Sequence, residues 1–95
     1  MKVVKRDGRM TEYDRNKIFV AIQKANDGVD SSDRISEDKI YNIVASIEAR
    51  GLNTMQVEDI QDIIEEKLMA EKKYTLAKSY IKYRYTRELV RKANT

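Results

Sequence analysis

Apolar residues recur every three or four positions along most of the chain, and this spacing predicts four amphipathic helices. The predicted helices cover about residues 14–27, 36–50, 54–71 and 74–92. Their apolar positions are Ile18, Phe19, Ala21, Ile22 and Ala25; then Ile40, Ile43, Val44 and Ile47; then Val57, Ile60, Ile63, Ile64, Leu68 and Met69; and finally Leu76, Ala77, Tyr80, Ile81, Tyr83 and Leu89. Each helix therefore offers one face to a shared core.

Polar residues and glycines at the ends of these stretches support the predicted limits. Asp14, Ser36 and Thr54 each precede an apolar stripe, and their side-chain oxygens can accept hydrogen bonds from first-turn N–H groups. Gly28 and Gly51 follow two of the stripes, where glycine readily ends a helix. The third and fourth helices follow each other without Gly or Pro, so we expect a tight turn between them.

The start of the chain predicts a β-hairpin over about residues 2–13. Val3 and Val4 favour an extended backbone, and Asp7-Gly8 is a strong signal for a tight turn. Two strands alone are marginal in water, so the hairpin needs a hydrophobic platform. We therefore expect it to pack on the helices.

Three cations, Lys5, Arg6 and Arg9, surround the predicted hairpin tip. Lys17 falls in the first turn of the first helix, beside backbone N–H groups that have no partner within the helix. If the hairpin folds back over this turn, Lys5, Arg6 and Lys17 can bind a phosphate chain together with these N–H groups. The alternative is a solvated basic tip, with Lys17 paired to a nearby acid.

Length and composition restrict the class of protein. Ninety-five residues suit one domain, residues 1–95, which we predict to be mainly α: a four-helix bundle capped by an N-terminal β-hairpin. The chain has no cysteine and no histidine, which excludes disulfides and thiolate metal sites and removes the commonest general base. The apolar runs are short, so we expect no membrane span, no signal peptide and a cytoplasmic location.

The net charge of +3 is unevenly distributed along the chain. Residues 1–24 carry a net charge of +4, residues 25–66 carry −8, and residues 67–95 carry +7. A fold that placed the hairpin beside the last helix would concentrate positive potential in one place. The alternative is that segments of opposite sign simply pack side by side.

The last predicted helix combines tyrosines with basic residues. Arg84, Arg87 and Arg91 share one face, and Tyr83 lies one turn before Arg87. Such aromatic and guanidinium groups can stack on a base or bind a phosphate, although tyrosines at this spacing are more often core or boundary residues. No recognition-helix motif or aromatic platform of a known module is present, so nucleic acid is not the expected partner.

Thr54 and Glu58 lie one turn apart at the predicted start of the third helix. The Glu58 carboxylate can accept a hydrogen bond from an exocyclic amine or a ribose hydroxyl. A threonine cap followed by acids in the first turn explains both residues equally well without a ligand.

Four motifs occur together in this chain: V-x-K-R-D-G near the start, D-x-x-K-I after it, V-E-D-I-Q-D in the third helix and A-K-S-Y-I-K-Y-R in the fourth. In this combination the sequence resembles the ATP-cone, a regulatory nucleotide-binding domain of ribonucleotide reductases and of the repressor of reductase genes. The resemblance extends from about Val3 to about Leu89. The last motif looks most like the anaerobic class of reductase or the repressor.

The resemblance implies that ATP and dATP compete for a site between the hairpin and the bundle. By this likeness ATP permits activity and dATP stops it, through a change in subunit association. Magnesium is expected to bridge phosphate oxygens. The residues that match the family's site are Val3, Lys5, Arg6, Lys17, Thr54, Glu58 and Arg87. At the position of Glu58 some aerobic members have a histidine, which leaves open whether one or two nucleotides bind.

The resemblance further implies a domain that is not itself an enzyme. Reductase chemistry needs cysteine thiols, so we expect the catalytic part of an anaerobic ribonucleoside-triphosphate reductase to follow Thr95. The expected partners are ATP or dATP and the reductase catalytic domain or subunit, and self-association is left open. Two alternatives remain: the ATP-cone of a nucleotide-responsive transcriptional repressor, and a basic helical module that binds nucleic acid.

Overall fold

Four helices and a small three-stranded sheet make up the structure, a computed structural model that describes residues 1–93. This confirms the predicted mainly α fold with its N-terminal hairpin. The predicted end of the domain at residue 95 lies outside the described residues. In chain order the elements are β1 (Lys2–Val4), β2 (Met10–Glu12), α1 (Arg15–Asp27), a 3₁₀ turn (Ser31–Asp33), α2 (Glu37–Glu48), β3 (Thr54–Gln56), α3 (Val57–Ala70) and α4 (Tyr74–Ala93).

Side-chain caps begin the first two helices, as the sequence predicts. The Asp14 carboxylate accepts a hydrogen bond of 2.9 Å from the backbone N–H of Asn16. The Ser36 hydroxyl accepts one of 3.3 Å from the backbone N–H of Lys39. These caps fix where α1 leaves the hairpin and where α2 leaves the loop before it.

The predicted start of the third helix at Thr54 is wrong. Thr54 to Gln56 form β3, which pairs in parallel with β1 in a sheet of order β2-β1-β3. The helix begins at Val57, after Gln56, whose side chain makes no cap hydrogen bond. The strand prevails over the cap because Met55 pairs with Val3 and both side chains are buried. An extended backbone here also satisfies the outer edge of β1, which a helical turn would leave open.

The turn between α3 and α4 is as tight as the sequence predicts, and a lysine takes the position that glycine usually occupies. Lys72 has a φ of 59°, in the left-handed region. Its N–H donates to the carbonyl of Met69 at 2.8 Å, and the N–H of Lys73 donates to the carbonyl of Leu68 at 3.0 Å. These two bonds form a Schellman motif, which satisfies the last carbonyls of α3.

The core lies between the four helices and one face of the sheet. Its largest fully buried side chains are Ile22, Ile40, Val44, Ile47, Ile64, Leu68 and Leu76. The Ser79 hydroxyl of α4 donates to the carbonyl of Ala25 in α1 at 2.8 Å, so the end of α1 lies beside the start of α4. A Cβ at Gly28 would lie 2.8 Å from the Ser79 oxygen, so a larger residue here would force the Ser79 hydroxyl to shift. The start of α1 and the end of α4 consequently meet beneath the hairpin.

Candidate functional site

A cavity of about 930 Å³ opens beneath the hairpin, between the sheet and helices α1, α3 and α4. Its volume lies in the range of small-molecule sites. The inner wall is largely apolar, and its residues are Val3, Ile18, Ala21, Val57, Ile60, Ile64 and Tyr80. An apolar group of a ligand can be buried against this wall.

The mouth of the cavity is strongly basic. Eight cationic residues line the cavity: Lys5, Arg6, Arg9, Lys17, Arg84, Arg87, Arg91 and Lys92. Four acids accompany them, namely Asp7, Glu12, Asp14 and Glu88. Among residues 1–93 the cavity therefore has an excess of positive charge at one end and an apolar wall at the other, which suits an amphipathic anion.

Lys5 shows how closely the cations converge. Partial burial lowers the pKa of its ammonium group, and the charges of Arg91, Lys17 and Arg9 lower it further, against a smaller opposing effect of Asp7. The three cations come from the end of α4, the start of α1 and the hairpin. A bound anion would relieve this repulsion, so the site is electrostatically prepared for one.

Arg6 links the hairpin tip to two helices. Its guanidinium donates to the side-chain oxygen of Gln61 at 2.9 Å and lies 3.4 Å from a carboxylate oxygen of Glu58. On α4, its Nε lies 2.8 Å from an oxygen of Glu88. Arg6 is therefore held by two carboxylates, and an anionic ligand has to compete with them.

The hairpin tip has the predicted turn. The Asp7 carboxylate accepts from the backbone N–H of Arg9 at 3.1 Å and from its side chain at 2.6 Å, and these bonds lower the pKa of Asp7. Gly8 has a φ of 88°, which glycine adopts without strain. The turn fixes Lys5 and Arg9 on opposite sides of the tip.

The structure brings together five of the seven predicted site residues. Val3, Lys5, Arg6, Lys17 and Arg87 all line the cavity. Thr54 does not: it is exposed in β3, paired with Lys2. Glu58 is also absent from the cavity wall, and it reaches the site only through its ion pair with Arg6. The part of each residue in binding a ligand stays a prediction.

Several residues of the cavity were not among the predicted site residues. Arg91 was not among them, although the sequence places it on the same helical face as Arg87. Arg9 faces the cavity because of the turn geometry, which the sequence alone does not give. Tyr80 was assigned to the core, and it is both buried and part of the cavity wall.

An ion pair stiffens the wall beside Tyr80. The Nε of Arg84 lies 3.3 Å from a carboxylate oxygen of Glu65, and both side chains are largely buried. The pair holds α4 against α3 and orients Arg84 along the cavity.

Residues 1–93 contain no group of three or more acidic, histidine or cysteine side chains arranged to hold a metal ion. None of the helices in these residues is long and apolar enough to cross a membrane.

Comparison with known families gives a match over almost the whole chain. The model of the ATP cone domain matches residues 1–89, which include the sheet, the first three helices and most of α4. The matched residues thus contain all seven predicted site residues.

Similar proteins are found among ribonucleotide reductases. The chain is 38% identical over 90 residues to the anaerobic ribonucleoside-triphosphate reductase of Haemophilus influenzae, covering 94% of this chain and 13% of that protein. It is 36% identical over 96 residues to the vitamin B12-dependent ribonucleoside-diphosphate reductase of Thermoplasma acidophilum, covering 95% and 12%. For the ribonucleoside-diphosphate reductase subunit alpha of Chlamydia trachomatis the identity is 33% over 102 residues, covering 96% and 10%. The chain thus spans only about a tenth of the length of these relatives.

Proposed function

The chain belongs to the ATP-cone family, and on this premise we propose that it is an allosteric domain that binds ATP or dATP and regulates a ribonucleotide reductase. One observation supports the proposal above all others: the cavity beneath the hairpin combines an apolar wall with a basic mouth. A nucleoside triphosphate has the same division, with a flat base at one end and a highly charged chain at the other. The base would be buried against the wall and the triphosphate would lie at the mouth.

The charges at the mouth suit a triphosphate. A triphosphate carries up to four negative charges, and Lys5, Lys17, Arg87 and Arg91 approach the same space from three elements. Arginine can hold two phosphate oxygens at once, and lysine contributes a compact point charge. Magnesium bound to the phosphate oxygens would reduce the remaining repulsion within the ligand.

Regulation requires that ATP and dATP favour different states of the protein. The two nucleotides differ only in the ribose 2′-hydroxyl, so a polar group near the sugar has to distinguish them. If that polar group is buried, leaving it without the 2′-hydroxyl as a partner weakens binding by roughly 1 to 3 kcal/mol. A ligand with equal affinity for two states of a protein does not shift the equilibrium between them, so each nucleotide must prefer its own state. We propose that the two states differ in how the domain associates with the reductase catalytic domain or subunit, or with a second copy of the chain.

The domain itself is proposed to be regulatory and not catalytic. The chain has neither the cysteines of reductase chemistry nor a phosphate-binding lysine loop of an ATPase. The parent protein is proposed to be a cytoplasmic anaerobic ribonucleoside-triphosphate reductase, in keeping with the similarity to the Haemophilus influenzae protein.

Titration calorimetry of the 95-residue chain with ATP and dATP, in the presence of magnesium, tests the proposal. We expect micromolar-range binding of both, and a loss of roughly tenfold or more when Lys5 and Arg6 are both replaced by Ala. The matched control replaces Lys78 and Lys82 by Ala. Both lysines lie on α4 outside the cavity wall, so this variant should bind ATP and dATP with unchanged affinity.

Three outcomes contradict parts of this proposal. No binding of either nucleotide by the wild-type chain would reject the sensor function. Tight, salt-sensitive binding of duplex DNA in its place would favour the nucleic-acid module. Unchanged dATP affinity in the Lys5→Ala, Arg6→Ala variant would reject the phosphate assignment and leave the family unaffected.

A further inference from the structure

Tyr80 is a buried residue whose hydroxyl has no protein partner. The residue is only 3% exposed, and within residues 1–93 its oxygen forms no hydrogen bond. In that part of the chain every side-chain oxygen or nitrogen that is fully cut off from solvent has a partner. The Tyr80 hydroxyl therefore retains some accessible surface. Since Tyr80 is a wall residue of the cavity beneath the hairpin, that surface opens into the cavity.

A ligand that fills the cavity would cut this hydroxyl off from water, so the hydroxyl would then need a partner on the ligand. A buried hydroxyl without a partner loses the hydrogen bonds it would make to water. Other residues of the inner wall include Ala21, Ile60 and Ile64, which offer no polar atom from their side chains. Burial raises the pKa of Tyr80, and the Glu65 carboxylate raises it further against a smaller opposing effect of Arg84, so the hydroxyl keeps its proton and can donate it. Tyr80 thus offers a neutral hydroxyl donor beside apolar side chains of the wall.

The position of Tyr80 along α4 indicates which part of a nucleotide it meets. Arg87 and Arg91 follow it by seven and eleven residues on the same helix and line the same cavity. At a rise of about 1.5 Å per residue they lie roughly 10 and 16 Å further along the helix axis. With the phosphates at these arginines, the sugar lies between and the base is the part that extends to Tyr80.

Resting on the proposed nucleotide-binding function, we propose that the Tyr80 hydroxyl donates a hydrogen bond to a ring nitrogen of the adenine base. Tyr80 is then a residue that determines base recognition, whereas the basic residues at the mouth determine affinity for the phosphate chain. The aromatic ring itself contributes to the apolar wall in either case.

The test is a cycle that removes the hydroxyl from the protein and the nitrogen from the ligand. Tyr80→Phe keeps the ring and its packing and deletes only the oxygen. We expect it to weaken ATP binding roughly three- to tenfold in calorimetry and to leave inorganic tripolyphosphate binding unchanged. Each of 1-deaza-, 3-deaza- and 7-deaza-ATP lacks one ring nitrogen, and the one that lacks the accepting nitrogen should bind the wild type as weakly as ATP binds the Tyr80→Phe variant. The affinity of that analogue should not fall further when Tyr80 is replaced by Phe.

Tyr85→Phe is the matched control, because Tyr85 lies on the same helix, is 55% exposed and does not line the cavity. It should bind ATP like the wild type. Equal ATP affinity of Tyr80→Phe and the wild type would overturn the inference while leaving the nucleotide-binding function intact. Equal losses for ATP and tripolyphosphate would also overturn it, since they would assign a structural role to the hydroxyl. If the wild type binds no ATP, the proposed function fails first.

Discussion

At the scale of single residues, the site is built from charges that oppose one another before any ligand arrives. Lys5 lies among cations, and Arg6 lies between carboxylates. The sequence identified both residues, because the V-x-K-R-D-G motif and the turn signal place them at the hairpin tip. The sequence did not predict that Glu88, 82 positions further along the chain, would form an ion pair with the guanidinium of Arg6. Such contacts depend on the packing of α4 beneath the hairpin, which local patterns do not specify.

Glu88→Gln should tighten ATP binding. The variant removes the carboxylate that lies 2.8 Å from the Arg6 guanidinium and so frees Arg6 for phosphate, and it also removes a negative charge from the cavity. We expect the Kd for ATP to fall roughly three- to tenfold by calorimetry. Glu71→Gln, which breaks an exposed ion pair with Lys39 outside the cavity, should leave the Kd unchanged. Weaker binding of ATP by Glu88→Gln would show that the carboxylate contacts the ligand or its metal ion.

Lys5→Gln should stabilise the fold while weakening ATP binding. The pKa of Lys5 is lowered in the folded protein, so its charged form is disfavoured there. This cost is fully present at neutral pH, and it disappears as the pH rises through the window between the lowered pKa and the usual value of 10.5. Since the side chain is partly exposed and solvent screens it, we expect a gain of only a few tenths of a kcal/mol in the free energy of unfolding at pH 7. Urea unfolding at pH 7 and pH 11 measures this gain, which should vanish at the higher pH. A loss of stability at pH 7 would contradict the prediction.

At the scale of elements, helices were easier to predict than strands. The apolar period and the caps Asp14 and Ser36 fixed α1 and α2 within about two residues at either end. β3 was missed because Thr54 suits a helix cap, and three residues are too few to show an alternating pattern. Residues 54–56 form a strand because they pair with the free edge of β1, which lies some fifty positions earlier in the chain. This pairing is a tertiary contact, which the local sequence does not reveal.

Lys72→Gly should stabilise the turn between α3 and α4. Lys72 holds a φ of 59°, which glycine adopts without steric strain, and its backbone bonds to Met69 would be kept. We expect the free energy of unfolding to rise by roughly 0.5 to 1 kcal/mol. The control is Lys78→Gly at an exposed site inside α4, which should lower the free energy of unfolding by about 1 kcal/mol. Chemical denaturation of both variants should therefore show stabilisation by the first exchange and destabilisation by the second.

At the scale of the whole molecule, the fold gathers charges that are far apart in sequence. The first 24 residues and the last 29 are basic, and the structure places the hairpin beside the end of α4. The uneven distribution of charge along the sequence left open whether the two basic ends would meet, and the resemblance to a family predicted that they would. The apolar wall was harder to foresee. Ile60, Ile64 and Tyr80 fit the core stripes of their helices, and only their packing shows that they also face a cavity.

ATP binding should therefore depend strongly on salt. Within residues 1–93 the cavity is lined by eight cations against four acids, and added ions screen the attraction of these cations for phosphate. We expect the Kd for ATP to rise roughly tenfold or more between about 0.05 and 0.5 M NaCl, and the Kd for adenosine, which lacks phosphates, to change little. The slope of log Kd against log salt should become shallower when Lys5 and Arg6 are both replaced by Ala. A slope that is equal for ATP and adenosine would contradict the electrostatic account.

The parallel pairing of β1 with β3 also has a consequence for biosynthesis. The basic hairpin is made before the strand that secures its other edge, and residues 54–56 follow residues 2–4 by about fifty positions. At a translation rate of roughly 5 to 20 residues per second, the hairpin waits about 3 to 10 s for this partner. The contact has a high sequence separation, so it belongs to the slow part of folding. Since α3 and α4 also line the cavity, a nascent chain acquires it only after α4 has been synthesised, and a ribosome-bound chain arrested before α4 emerges should not yet retain ATP.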